Sequence, residues 1–222
     1  MTTFPGAARP VRGGIILLDP ATSRIQRIIA LQYNPDNLSR TLQAQGAGDD
    51  PGDRLEALRL KGPPTETIRL EADMDATDAL EFPRQNPTVA ELGLFPALAA
   101  LETMVYPPSG QLIANDVRAA AGMIEIVPVE APLTLFTWSR NRLLPVRLTE
   151  FTVTEEAFDT NLNPIRARVN LSMRVLTVND LGFSHRGGSL YLLHQQQKER
   201  FAGMGGSPGL AALGFSGIPG GG

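Results

Sequence analysis

From Ile165 to Val175 the chain alternates without a break. Ile165, Ala167, Val169, Leu171, Met173 and Val175 fall on one side, and Arg166, Arg168, Asn170, Ser172 and Arg174 on the other. A period of two held over eleven residues does not suit a helix, whose apolar positions recur every three or four, and it predicts a long strand with one dry and one wet face. Such a strand needs a core on its dry side. The 222 residues, 42% hydrophobic and 19% charged, are enough for one generous domain and too apolar for a disordered chain.

Further strands surround it. Gly14 to Leu18 reads as a short strand, Asp19-Pro20-Ala21-Thr22-Ser23 as a turn, and Ile25 to Tyr33 as the return of a hairpin. Leu38 to Gln43 follows, reached through Tyr33-Asn34-Pro35-Asp36-Asn37, where the proline holds the residue before it extended or in a turn. Thr67 to Ala72 alternates, with Ile68, Leu70 and Ala72 opposite Arg69 and Glu71. Leu133 to Trp138 is a strand. Val146 to Glu155 is another, but its apolar parity slips between Val146 and Leu148 and Phe151 and Val153, which predicts a β-bulge. The turn Phe158–Pro164 then leads into the Ile165 strand.

One helix stands out between them. Thr88 with Glu91 gives a capping-box spacing, Leu94, Leu98, Leu101 and Val105 share a face, and Pro96 marks a break or a second start. Residues 1–13 read as an unanchored arm. Residues 44–64 read as a loop holding at most one helical turn at Arg54–Leu60, and residues 109–131 as an inserted loop. Residues 181–222 form a C-terminal extension that becomes Gly-rich from Gly203. The body between the two ends is 14–180. No internal repeat is visible.

Composition argues against most catalytic chemistry. With no cysteine, thiolate metal sites, disulfides and cysteine nucleophiles are excluded, and two histidines leave little for a metal site or a proton relay. His185 and His194 read as surface or packing residues. The acidic group Glu71, Asp73, Asp75, Asp78 and Glu81 misses the spacing of a calcium loop and reads as a solvated loop leading to a helix N-terminus. Lone Trp138 gives no platform for a glycosidase. The glycines from Gly203 follow no strand, which excludes a phosphate-cradling loop. Lys+Arg 20 against Asp+Glu 23, and no aromatics among the arginines of the long strand, argue against nucleic-acid binding. Arg166, Arg168, Asn170, Ser172 and Arg174 read either as a plain solvated face or as one lining a channel or meeting a partner. No apolar stretch reaches the roughly 20 residues of a membrane span, and no secretory signal opens the chain, so cytoplasmic synthesis and assembly without membrane insertion are expected.

Four short motifs resemble, in order, the tube-protein domain of contractile injection systems, the phage-tail-like particles. Leu31-Gln32-Tyr33-Asn34-Pro35-Asp36-Asn37-Leu38 is similar to the family's early strand-to-turn motif. Ile68-Arg69-Leu70-Glu71 with Met74-Asp75-Ala76-Thr77-Asp78 is similar to its strand and following acidic loop. Leu133–Trp138 with Leu148–Thr154, and Phe158-Asp159 through Asn163-Pro164-Ile165-Arg166-Ala167-Arg168-Val169, are similar to its later strands and turn. The likeness spans roughly residues 25–180. The sequence departs from the family in its segment 109–131 and in lacking the cell-wall-binding module that adaptor members often carry.

The resemblance implies a mainly β, α+β fold: a tail-tube-like β-barrel or sandwich with one flanking buried helix, six copies closing a ring. It implies a structural, non-enzymatic adaptor without cofactors. This adaptor would join inner-tube rings to the spike or hub of the baseplate, start tube assembly, and reach other baseplate subunits through its terminal extensions. The repeating tube subunit or a tube terminator is the alternative within that class. A soluble β-barrel holding a small apolar ligand is the alternative outside it.

Overall fold

A computed structural model describes residues 11–46, 58–122 and 131–218. Seven strands make one sheet: β1 (Gly14–Leu18), β2 (Ile25–Ala30), β3 (Leu38–Gln43), β4 (Thr65–Asp75), β5 (Leu133–Thr137), β6 (Leu143–Phe158) and β7 (Pro164–Val175). Their order is β2-β1-β5-β6-β7-β4-β3, and every neighbouring pair is antiparallel. The helices are α1 (Thr77–Leu80), α2 (Pro87–Leu92), α3 (Phe95–Glu102), α4 (Ser109–Ala120), α5 (Val178–Leu181) and α6 (Arg186–Met204). The fold is α+β and built around its sheet, as the alternation predicts. Strands β2 and β3 lie at its two ends.

The long alternating strand sits in the middle of the sheet. Ala167, Val169, Leu171, Met173 and Val175 are all buried, and across the β4 ladder Met173 faces Ile68, Leu171 faces Leu70 and Val169 faces Ala72. On its other side β7 pairs with β6, and the predicted bulge falls where the register steps from Leu148 to Glu150. The extra residue, Thr149, donates its hydroxyl to the Ser172 carbonyl oxygen at 3.0 Å. Because one residue is absorbed there, Leu148 opposite Met173 and Phe151 opposite Leu171 both point at the core.

The core side is closed by Leu94, Leu98 and Leu101 of the α2–α3 segment. Helix α2 starts with Pro87 at its first position and its cap residue, Asn86, makes no side-chain capping bond, so Thr88 lies one residue inside the helix rather than capping it. Gly93, at φ +56°, ends α2, and α3 restarts at Phe95 with Pro96 in its first turn, the second start that the proline predicts. A Cβ at Gly93 would collide with the Pro164 carbonyl oxygen, which accepts the Leu94 N–H at 2.7 Å. Val105 lies past the end of α3 and is exposed, so the expected four-residue stripe is three residues long.

Three expectations need correcting. Residues Ser109–Ala120 of the expected inserted loop are helix α4, a segment of good helix formers (Gln, Leu, Ala, Arg) in which no residue is buried. The arm is anchored at its end: Asn34 accepts the Gly13 N–H and donates to the Val11 carbonyl, each at 2.8 Å. A second helix flanks the sheet besides α3. The 19-residue α6 packs on β6, sends Tyr191 into the main core, and places Leu190 against a smaller cluster of Leu18, Leu133 and Leu135 on the opposite face of β1 and β5. Its helical start depends on Gly188, where a Cβ would run into the Gly182 carbonyl oxygen. Of the expected loop 44–64, Gly46 and Leu60 extend the β3–β4 hairpin by one bridge, and most of the suggested turn at Arg54–Leu60 lies outside the described residues.

Candidate subunit-facing surface

The wet side of β7 is bordered on both flanks by polar strand faces. Across β4, Arg166 lies opposite Asp75, Arg168 opposite Asp73, Asn170 opposite Glu71 and Ser172 opposite Arg69. Across β6, Arg168 faces Thr154, Asn170 faces Thr152, Ser172 faces Glu150 and Arg174 faces Arg147. The sequence places the five β7 residues on one face, and the structure brings them together there as one row.

The row does not act as a basic stripe. Arg166 pairs with Asp75 at 3.1 Å, Arg168 with Glu71 and Asp73 at 3.2 Å each and with Glu156 at 3.7 Å, and Arg174 with Asp180 at 2.7 Å. These pairs are exposed, and each is worth on the order of 0–1 kcal/mol. Their consequence is cancellation: the face carries alternating charge with little net field. The hydrogen bond from Arg168 to Asp73, reinforced by Glu156 and Glu71, raises the Arg168 pKa above its ordinary value. Asp75 is held below the usual carboxylate range, first by the Thr77 hydroxyl and backbone N–H and then by Arg166.

Three of the five members of the acidic group therefore belong to the sheet and not to a loop. Strand β4 continues to Asp75, so Glu71, Asp73 and Asp75 lie on one strand face, and only Asp78 sits in the first turn of a helix, α1. Reading the strand as ending at Ala72 hid the pairing. The alternation Arg69, Glu71, Asp73, Asp75 was the available signal, because two neighbouring strands whose wet faces carry opposite charge attract one another. Ser172 is the buried member of the row, closed over by Thr149 from the bulge. A groove of about 410 Å³ runs along this face between Ser39, Glu71, Glu150 and Asn170.

Residues of the early motif act as clamps. Gln32 donates to the Asp75 carbonyl at 2.6 Å and accepts the Asp75 N–H at 2.9 Å, fixing the end of β4, while Asn34 holds the arm. In the later turn, Asp159 accepts the N–H groups of Asn161 and Asn163 at 2.8 Å each, and Asn163 donates to the Glu91 carbonyl at 2.9 Å. The Asn163 side chain also donates to the Asp159 carboxylate at 2.8 Å, and this bond first, then the two backbone N–H groups, depress the Asp159 pKa.

The two end strands carry a different surface. Ile25 and Ile28 on β2 and Leu42 on β3 are exposed, as are Leu112, Ile113 and Val117 of α4. Among the described residues no ladder joins β2 to β3. No described helix is long and apolar enough to cross a membrane, and among the described residues no group of three or more acidic or histidine side chains is placed to hold a metal ion. A scan of protein-family models and a search of curated proteins find no match to this chain.

Proposed function

We propose that this chain is a structural ring subunit of a contractile, phage-tail-like injection system, and within it the adaptor that joins the inner tube to the baseplate spike and starts tube growth. The observation that carries the reading is the sheet whose two end strands, β2 and β3, each leave an outer edge without a partner strand among the described residues. Such edges invite association in a monomer, and head-to-tail pairing of β2 from one copy with β3 of the next satisfies both while closing a ring. In that ring the sheet takes part in a tail-tube-like barrel, and the charge-cancelled face of Arg166, Arg168, Asn170, Ser172 and Arg174 lines the lumen or meets a sister subunit. A wet wall with little net field lets cargo of either sign pass.

The adaptor is favoured over the repeating tube subunit because surfaces lie outside the sheet for unlike neighbours. Helix α4 exposes Leu112, Ile113 and Val117, and the chain beyond α6 exposes Leu213, Phe215 and Ile218. Electron microscopy of particles assembled without this chain tests the role. Tubeless or spike-free remnants are the expected result, and normal particles would remove the initiator role. Copy number separates the two readings within the class: one hexameric ring per particle for the adaptor, many stacked rings for the tube subunit.

A further inference from the structure

The turn between β5 and β6, the edge strand β3 and the second half of α6 border a half-open cavity of about 180 Å³. At about 30 Å³ per water it has room for an ion with a few waters. Arg40, Arg142, His194 and Lys198 line it, with Trp138 and Phe201 as its aromatic walls.

Its charges do not balance. Arg40 is bound to Glu66, whose carboxylate is buried, at 2.6 Å. Among the described residues, Arg142, half-buried, and Lys198 make no side-chain hydrogen bond or ion pair. His194 is 7% exposed, and among the described residues neither of its ring nitrogens has a hydrogen-bond partner. A buried imidazole left without a partner is costly, and two half-buried cations beside it make an acceptor of negative charge the partner that suits all three.

The cavity is also built. Gln197 donates to Asn141 at 3.1 Å, tying α6 to the turn, and Ser139 holds that turn at φ +76°, a conformation that side-chain-bearing residues seldom adopt. Strain of this kind persists where the surroundings over-determine it.

We infer that this cavity binds a small tetrahedral oxyanion of the phosphate class, held by the Arg142 guanidinium and the Lys198 ammonium, with a His194 ring N–H as a third donor. Guanidinium and ammonium donors are the groups best suited to such an ion. The site lies apart from the β7 face and does not depend on the proposed ring. Binding couples to protons as well. The groups facing His194 are Lys198 on its own helix, Arg142 on the turn, Arg40 on β3 and Glu66 on β4, and burial followed by Lys198 lowers its pKa while Glu66 raises it. An anion beside the ring reverses part of that lowering, so the bound protein takes up protons.

Trp138 is the single tryptophan of the chain and a wall of the cavity, so its fluorescence reports occupancy. The full chain is titrated with inorganic phosphate at constant ionic strength and fixed pH, with sodium chloride and sodium acetate as parallel arms. A saturable change with phosphate and none with chloride or acetate is expected. Arg142→Gln and Lys198→Gln each weaken it about tenfold or more, as loss of a charge-assisted hydrogen bond does, while Arg118→Gln on α4 leaves it unchanged. Thermal melts of both cavity variants identify any that fail to fold, and the remaining one then decides. No saturable response to phosphate in the folded wild type, an equal response to acetate, or an unchanged response in a folded cavity variant would each overturn the inference.

Discussion

At Leu162 the chain turns from β6 into β7 with a φ of +64°, and its side chain is largely in solvent. A β-carbon in the left-handed region costs roughly 1–2 kcal/mol, and glycine gives back about 0.5–1 of that through its looser unfolded chain. Leu162→Gly therefore stabilises by about 0.5 kcal/mol, read as a small rise in melting temperature. Gly93 is the opposite case. Gly93→Ala adds both a strained φ and a collision with the Pro164 carbonyl, and a loss of about 2 kcal/mol is expected, roughly 4–8 °C in a chain of this size. His194 supplies a pH signature. Its pKa is lowered in the fold, so the unfolded chain binds the extra proton, and stability falls as pH drops through the ordinary histidine range and levels off below the folded pKa. Melts of the wild type and of His194→Gln across that range check the sign: the wild type loses more stability on acidification than the variant. Asp75 and Asp159, both lowered, hold their contributions above the usual carboxylate pKa and lose them only in stronger acid.

Among the elements, the bulge in β6 is the most consequential. Deleting Thr149 removes the absorbed residue and leaves a regular ladder in which Leu148, Phe151 and Val153 still face the core. Deletion and Thr149→Ala therefore both keep the core-facing residues buried, and each is expected to cost about 1 kcal/mol for the lost hydrogen bond, measured by denaturant unfolding, whereas a deletion that exposed Phe151 would cost several times more. This bulge was readable in the sequence because a parity slip inside an alternating run has few other causes. Strand β7 was readable for the same reason. Helix α6 was not: its first residues include Gly187 and Gly188, and its apolar residues spread round the helix instead of forming one stripe, since Tyr191 and Leu190 serve different clusters. Helix α4 was missed although Leu112, Ile113 and Val117 recur at helical spacing, because that apolar face is exposed and meets no core. The edges carry their own test. Ile28→Lys on β2 and Leu42→Lys on β3 change exposed positions, and each should move monomer stability by no more than about 0.5 kcal/mol while weakening self-association.

For the molecule as a whole, the polar face of β7 was half legible. The alternation placed its five residues correctly, but their ion-pair partners come from β4, β6 and α5, and pairing between strands nearly a hundred residues apart is not written in either strand alone. The oxyanion cavity was not legible at all, because Arg40, Arg142 and Lys198 reach it from three separate elements. On the proposed function, this sheet is completed only by copies of itself. Light scattering on the purified full chain over a wide concentration range tests it most directly, with Ile28→Lys and Leu42→Lys alongside. Growth from a single 23.9 kDa chain to a closed assembly of six that then stops is expected, with both edge variants held at the monomer. A strict monomer at every concentration, or a hexamer that both edge variants still form, would contradict it.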